Sequence, residues 1–225
     1  MKLAKFLDKY DTVIFDMDGL MIDTEKLLTR FWCEAANHYG YPMTKEHVLG
    51  IRSLAAKYAI PHLKGIFGED FDYYKVRGKR IELMNEFIRQ NGIEKKKGLD
   101  ELLDYLDSTG LKKAVATATD LQRTTLYLSS INIIDRFDKL ICGNMIENGK
   151  PAPDIYLAAA KELELDPSEC IALEDSPNGI RSAHTAGCKP VMIPDLSQPD
   201  EETKKLLYAC CDDLSNVIGV IQKLV

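Results

Sequence analysis

The run Thr12-Val13-Ile14-Phe15 constrains this chain more than any other feature. It is continuous, rich in β-branched side chains, and it stops abruptly on a charged residue, Asp16. β-Branching stiffens χ1 and suits a pleated strand, and an unbroken rather than alternating apolar run marks a strand buried on both faces. Four further runs share the pattern: Ala114-Val115-Ala116-Thr117, Lys139-Leu140-Ile141-Cys142, Cys170-Ile171-Ala172-Leu173 and Pro190-Val191-Met192-Ile193. Helical patterns separate them. One runs from Leu99 to Ser108 and stops at Gly110, and another from Asp120 to Ser130. A third runs from Asp154 to Leu163 behind Pro153, and a fourth opens on Ser176-Pro177 and closes at Gly187. Strands alternating with helices predict an α/β fold, a Rossmann-like doubly wound parallel sheet with right-handed crossovers.

The rhythm fails between Leu20 and about Lys97. That stretch holds roughly five helix-length windows and no convincing strand. Leu27, Leu28, Phe31, Trp32, Ala35, Ala36 and Tyr39 recur at helical spacing before Gly40, and a long window from Asp72 to Gln90 ends at Asn91-Gly92. The expected organisation is therefore a core of residues 1–19 and 96–225 with a helical cap domain, 20–95, inserted after the first strand. Residues 25–97 carry 14 Lys/Arg against 9 Asp/Glu, or +5, which leaves −11 on the remainder of a chain of net charge −6. An acidic chain argues against nucleic acid as a partner, and a basic lid over an acidic core suits a small anionic substrate. No apolar run reaches the ~20 residues of a membrane span, and Met1–Lys9 lacks the apolar stretch of a signal peptide. Six cysteines without metal-binding spacing then read as reduced thiols in a cytoplasmic protein, with a monomer as the default state.

Ligands of open α/β sheets bind at the carboxyl ends of the strands. The first strand delivers Asp16-Met17-Asp18-Gly19, the second Thr117-Ala118-Thr119 and the fourth Glu174-Asp175, while Lys150 opens the helix between the third and fourth. Four carboxylates would share one cleft. Two unit charges ~4 Å apart repel by ~4 kcal/mol at an effective dielectric near 20, so such a cluster needs a cation. Hard oxygen donors select Mg²⁺ or a similar ion.

These segments, Asp16-Met17-Asp18-Gly19, Thr117, Lys150-Pro151 and Glu174-Asp175, match in order and approximate spacing the four motifs of the haloacid dehalogenase superfamily. The helical insert resembles its subclass with an α-helical cap. Gly149-Lys150-Pro151-Ala152-Pro153-Asp154 and Leu173-Glu174-Asp175-Ser176 resemble the β-phosphoglucomutase-like and sugar-phosphatase branch. The resemblance implies that Asp16 is a nucleophile forming an aspartyl-phosphate and Asp18 a general acid–base. It implies that Thr117 donates to phosphoryl oxygens and that Lys150 neutralises charge and steadies Asp16. Mg²⁺ would be held by Asp16, the Asp18 backbone carbonyl and Asp175, with Glu174 close by or acting through water. Gly19 and Ala118 would lie against the substrate.

The second carboxylate chooses among branches, because members that displace halide lack a residue equivalent to Asp18 and need no metal. Phosphatase and mutase both stay open, as does a non-catalytic regulatory protein on the same fold. In β-phosphoglucomutases a cap histidine aligns the acid–base aspartate. That position here is Leu28, and none of His38, His47, His62 and His184 falls there. A hydrolase of a small phosphorylated sugar or polyol is the expected activity, β-phosphoglucomutase the alternative. In the cap, Arg52, within Gly50-Ile51-Arg52-Ser53, is the candidate grip for a second phosphate. Lys79 stands where a mutase-like lysine is expected, and Arg80 is its neighbour. Thr24 is read as the cap of the first inserted helix.

Overall fold

The computed structural model describes residues 10–52 and 54–224. Met1–Lys9 and Ser53, on which two of the expectations above partly rest, lie outside the described residues. Six strands form one parallel sheet: β1 (Thr12–Phe15), β2 (Lys112–Thr117), β3 (Lys139–Cys142), β4 (Cys170–Glu174), β5 (Lys189–Met192) and β6 (Ala209–Cys210), in the order 3-2-1-4-5-6. Five follow the apolar runs within two residues. The sixth is a two-residue edge strand, too short to leave a run. Its Cys210 is exposed and the next residue, Cys211, is buried, and all six cysteines are free thiols.

β1 pairs with β2 on one side and β4 on the other, and both of its faces are covered, so Val13, Ile14 and Phe15 have no solvent exposure. Successive side chains point to opposite faces. Val13 and Phe15 enter one hydrophobic cluster with Val115, Leu173, Val191 and Leu102. Ile14 enters the other with Ala114, Ala116, Ala172, Ile155 and Tyr156. Each fully buried large apolar side chain contributes about 1.5–3 kcal/mol.

The helices covering the sheet are α5 (Leu99–Thr109), α6 (Leu121–Ser130), α7 (Asp154–Glu162), α8 (Pro177–Ala186), α9 (Glu201–Lys204) and α10 (Val217–Ile221), numbered after four in the insert: α1 (Glu25–His38), α2 (Lys45–Gly50), α3 (Ala56–Phe67) and α4 (Tyr73–Asn91). Their ends are chemically marked. Asp72 and Asp120 accept from the backbone N–H groups of Lys75 and Arg123, and Ser176 accepts from Gly179 N–H ahead of Pro177.

Among the described residues the insert holds four helices rather than about five. It has its own cluster, built on Trp32, Ala35, Met43, Leu63, Phe71 and Val76. Its two connections run side by side: Asp23 N–H donates to Glu94 O at 2.9 Å, Lys96 N–H donates to Met21 O at 2.9 Å, and Ile22 bridges Lys95. Phe31, Met84 and Ile88 nevertheless pack into the sheet's own cluster, so the insert rests on the core through an apolar seam. Among the described residues, no helix is long and apolar enough to cross a membrane.

Candidate active site

Strand register assembles the centre. Phe15 lies level with Val115 of β2 and Leu173 of β4, so the next residue, Asp16, stands beside Ala116 and Glu174, and its N–H donates to Leu173 O at 3.0 Å. On either side of β1 the chain leaves the sheet in opposite directions, which opens a crevice at the strands' carboxyl ends. Lys150 reaches into it from the loop ahead of α7. Only 1 % exposed, its ammonium donates to Asp16 Oδ1 at 2.5 Å, Glu174 Oε1 at 2.6 Å and Ala116 O at 3.0 Å. Tyr156 of α7 donates to the same Glu174 oxygen at 2.6 Å, so a phenol and an ammonium fix that carboxylate.

Asp18 is positioned differently. The Thr24 hydroxyl donates to its Oδ1 at 2.6 Å and the Thr119 hydroxyl to its Oδ2 at 2.7 Å. Thr24 does precede α1, but its side chain makes no capping bond: the hydroxyl is spent on Asp18. Thr117 is buried at the end of β2, where its hydroxyl accepts from Thr119 N–H at 3.1 Å. The triplet Thr117-Ala118-Thr119 therefore splits its work. The alternation that points Thr117 into the crevice also brings Thr119 there, and that alternation is the signal by which Thr119 could have been weighed more heavily.

Asp16, Glu174 and Asp175 each offer an oxygen, and the three oxygens lie within 4.8 Å of one another. Burial pushes the Asp16 and Asp175 carboxyls well above the usual range. The charges of Lys150 and Arg52, respectively, oppose that shift, and the neighbouring carboxylates reinforce it. Burial also works against the Lys150 ammonium, but Asp16 and Glu174 outweigh it and raise its pKa. Asp175 Oδ1 is buried with no hydrogen-bond partner. Hard oxygens, crowded negative charge and an orphaned carboxylate oxygen fit a small divalent cation. The Asp18 side chain stands outside this trio. Gly19 adopts φ +87°, and a methyl there would overlap the Asp175 carboxylate and Glu25, so close approach demands glycine.

The insert meets the centre through Arg52. The residue is 6 % exposed, and its guanidinium donates to Asp175 Oδ2 and pairs with Glu25 at 3.1 Å. The residue expected to grip a second phosphate is thus engaged by carboxylates. Lys79 is not brought to the site: it lies on another face of α4 and pairs with Glu82 at 2.9 Å. Between sheet and insert lies a cavity of 570 Å³ lined by Asp16, Asp18, Thr117, Ala118 and Lys150, by Leu28, Trp32 and Tyr73, and by Arg77, Arg80 and Arg123. None of the four histidines lines it. Arg123 carried no distinguishing signal in the sequence, since only the fold brings α6 near Arg80, whereas Arg77 stands three residues before Arg80 on α4 and that helical spacing could have found it.

A parallel α/β sheet with acidic residues gathered at its carboxyl edge, under a helical insert, defines a class of hydrolase fold. The haloacid dehalogenase-like hydrolase family model matches residues 13–193, and the chain belongs to that family. It is 29% identical over 185 residues to the phosphorylated carbohydrates phosphatase of Thermotoga maritima, covering 80% of this chain and 83% of that one. It is 32% identical over 209 residues to the "Probable pseudouridine-5'-phosphatase" of Drosophila melanogaster, covering 88% of each. The crystal structure of a β-phosphoglucomutase from Clostridium difficile shares the fold, with a TM-score of 0.81 at 23% identity over 96% of both chains.

Proposed function

We propose that this protein is a Mg²⁺-dependent phosphomonoesterase acting on a small phosphorylated metabolite, a sugar or polyol phosphate, through an aspartyl-phosphate on Asp16. The observation that carries this reading is the buried Lys150 ammonium bonded to Asp16, beside an Asp18 clamped by two hydroxyls. Asp16 Oδ attacks phosphorus while the bond from phosphorus to the ester oxygen breaks, and Asp18 gives that oxygen its proton. Water then attacks phosphorus as the bond from phosphorus to Asp16 Oδ breaks, Asp18 takes a proton from that water, and inorganic phosphate leaves with Asp16 restored. Thr117 donates to the phosphoryl oxygens, Lys150 neutralises their charge and steadies Asp16, and Thr24 and Thr119 hold Asp18 in place. Asp16, Asp175 and the Asp18 carbonyl, with Glu174 close by, would hold the cation, which when bound offsets charge on those oxygens. Phosphoryl transfer asks mainly for positioning and charge compensation, and these residues supply both.

Residues 20–95 act as a cap on a core of residues 1–19 and 96–225. It closes over the cavity to exclude water and opens to release product. The paired connections at Ile22 and Lys95 are where such a motion would pivot. Phosphatase names among the relatives favour hydrolysis. The shared fold keeps a mutase as the second reading, and the apolar Leu28 in the cavity wall weighs against it. A panel of sugar and polyol phosphates that includes β-glucose 1-phosphate tests both, scoring inorganic phosphate and glucose 6-phosphate side by side. Phosphate release lost in Asp16→Asn is the expected result. Release from no ester refutes the proposal, and glucose 6-phosphate as the main product replaces it with the mutase.

A further inference from the structure

Arg80 of α4 is 4 % exposed, yet among the described residues no carboxylate or carbonyl pairs with it. One guanidinium nitrogen lies 3.8 Å from the Met84 sulfur, and the guanidinium carbon lies 5.4 Å from the centre of the Trp32 ring. Its Nε is buried and has no hydrogen-bond partner among the described residues. The charges acting on it most strongly are cations: Arg123 and Arg77 join burial in lowering its pKa to about 10, so it stays charged at neutral pH against its surroundings. An arginine stripped of water normally acquires an anion, because a contact with an aromatic face returns less than the lost hydration. Arg80, Arg77 and Arg123 line the same cavity as Asp16. Arg123 donates through Nε to Asp120 at 2.8 Å, and among the described residues Arg77 makes no ion pair.

Resting on the phosphatase reading above, we propose that Arg80, with Arg77 and Arg123, forms a second anion subsite, so that the preferred substrate carries a carboxylate or a second phosphate besides the phosphoryl group that Asp16 receives. The subsite sits where α4 of the insert faces α6 of the core. A two-anion ester would therefore bridge the two walls, contacting the sheet's edge with one end and the guanidiniums with the other. A guanidinium binds either anion by paired, charge-assisted hydrogen bonds, so the two sources share one chemistry.

Three esters of one skeleton test the proposal: propane-1,3-diol monophosphate, 3-(phosphonooxy)propanoate and propane-1,3-diol bisphosphate. One of the doubly anionic esters should exceed the neutral-tailed ester in kcat/KM by about tenfold or more, and which one does identifies the anion. In Arg80→Met that ratio should fall about tenfold to a hundredfold, mainly through KM, while the thermal midpoint does not drop, since a buried unpaired charge has been exchanged for an apolar side chain of similar length. Preference for the neutral ester in the unmutated chain, or an unaltered ratio in Arg80→Met, overturns the subsite. The first criterion needs no variant to fold. If none of the three esters is hydrolysed, the sugar- and polyol-phosphate panel decides the phosphatase reading, and calorimetric binding of the three esters to Asp16→Asn decides the subsite. Tighter binding of a doubly anionic ester supports the subsite, and equal binding of all three refutes it.

Discussion

The guanidinium of Arg52, carried by the helical insert, donates to Asp175 Oδ2 at the carboxyl end of β4. A charge from one module thus rests on the acidic centre of the other, in the position that a bound cation would contest. Glu25 of α1, at 3.1 Å on the same guanidinium, holds the arginine from within the insert, so that its contact with Asp175 ties the underside of the insert to the sheet.

Removing this arginine strands the buried Asp175 carboxyl and takes from Glu25 the one charge that opposes its burial. Breaking one partner of a buried ion pair costs about 3–5 kcal/mol, and less where the survivor can take up a proton. Arg52→Ala should therefore lose about 3 kcal/mol of stability in chelator, read as a lower urea midpoint at unchanged slope. Added Mg²⁺ should return part of the loss, because a divalent cation can then reach Asp175 uncontested. An unchanged midpoint in chelator would mean that the pair does not persist in solution.

Lys150 presents the converse case, one cation serving Asp16 and Glu174. Lys150→Met leaves both carboxylates without it in a pocket closed to water. A loss of about 3–5 kcal/mol is expected, together with loss of turnover that Mg²⁺ does not rescue. Tyr156→Phe removes a single neutral donor to Glu174 and should cost only about 1–2 kcal/mol. Urea titration of the two variants under one condition checks the order, and a larger loss for Tyr156→Phe would reverse the roles given to them.

Much of this arrangement was legible because the sheet is parallel and buried. A strand covered on both faces must be continuously apolar, so its end is announced by the first charge, and Asp16, Glu174 and Asp175 all stand at such ends. The two long helices of the insert, α1 and α4, were legible for a related reason, an apolar stripe each, whereas the short α2 has only Val48 buried and the count of helices was overestimated. What escaped depends on residues far apart in sequence. Nothing near Arg52 says that its guanidinium will reach Asp175, 123 residues away. Lys79 and Arg80 are adjacent with similar side chains, and only the rotation of about 100° per residue on α4 separates a surface pair with Glu82 from a place in the cavity wall. Thr24 had the composition of a helix cap and the geometry of an Asp18 donor.

That last detail is testable by itself. Thr24→Val and Thr119→Val each delete one of the hydroxyls that fix Asp18 and keep the side chain's shape. If Asp18 transfers the proton, each variant should lower kcat about tenfold while KM moves less, and the double variant should lose more than either single one. Unchanged kcat in both would remove positioning from the work of these threonines.

Glu25 gives the chain a dependence on pH whose sign is fixed. Burial pushes its carboxyl up to about 8, with the Arg52 charge opposing and Asp18 adding repulsion. An unfolded glutamate titrates near 4.3, so between ~4.3 and about 8 the folded chain holds a proton that the unfolded chain has released. Linkage then requires stability to fall as pH rises through that window, with the contribution gone once the folded group has ionised. Glu25→Gln imitates the protonated form at every pH. In chelator, the urea midpoint of the unmutated chain should decline from pH 6 to pH 8.5 more steeply than that of Glu25→Gln. Parallel declines would show that Arg52 keeps Glu25 ionised throughout, and the strength of that ion pair would then have outweighed its burial.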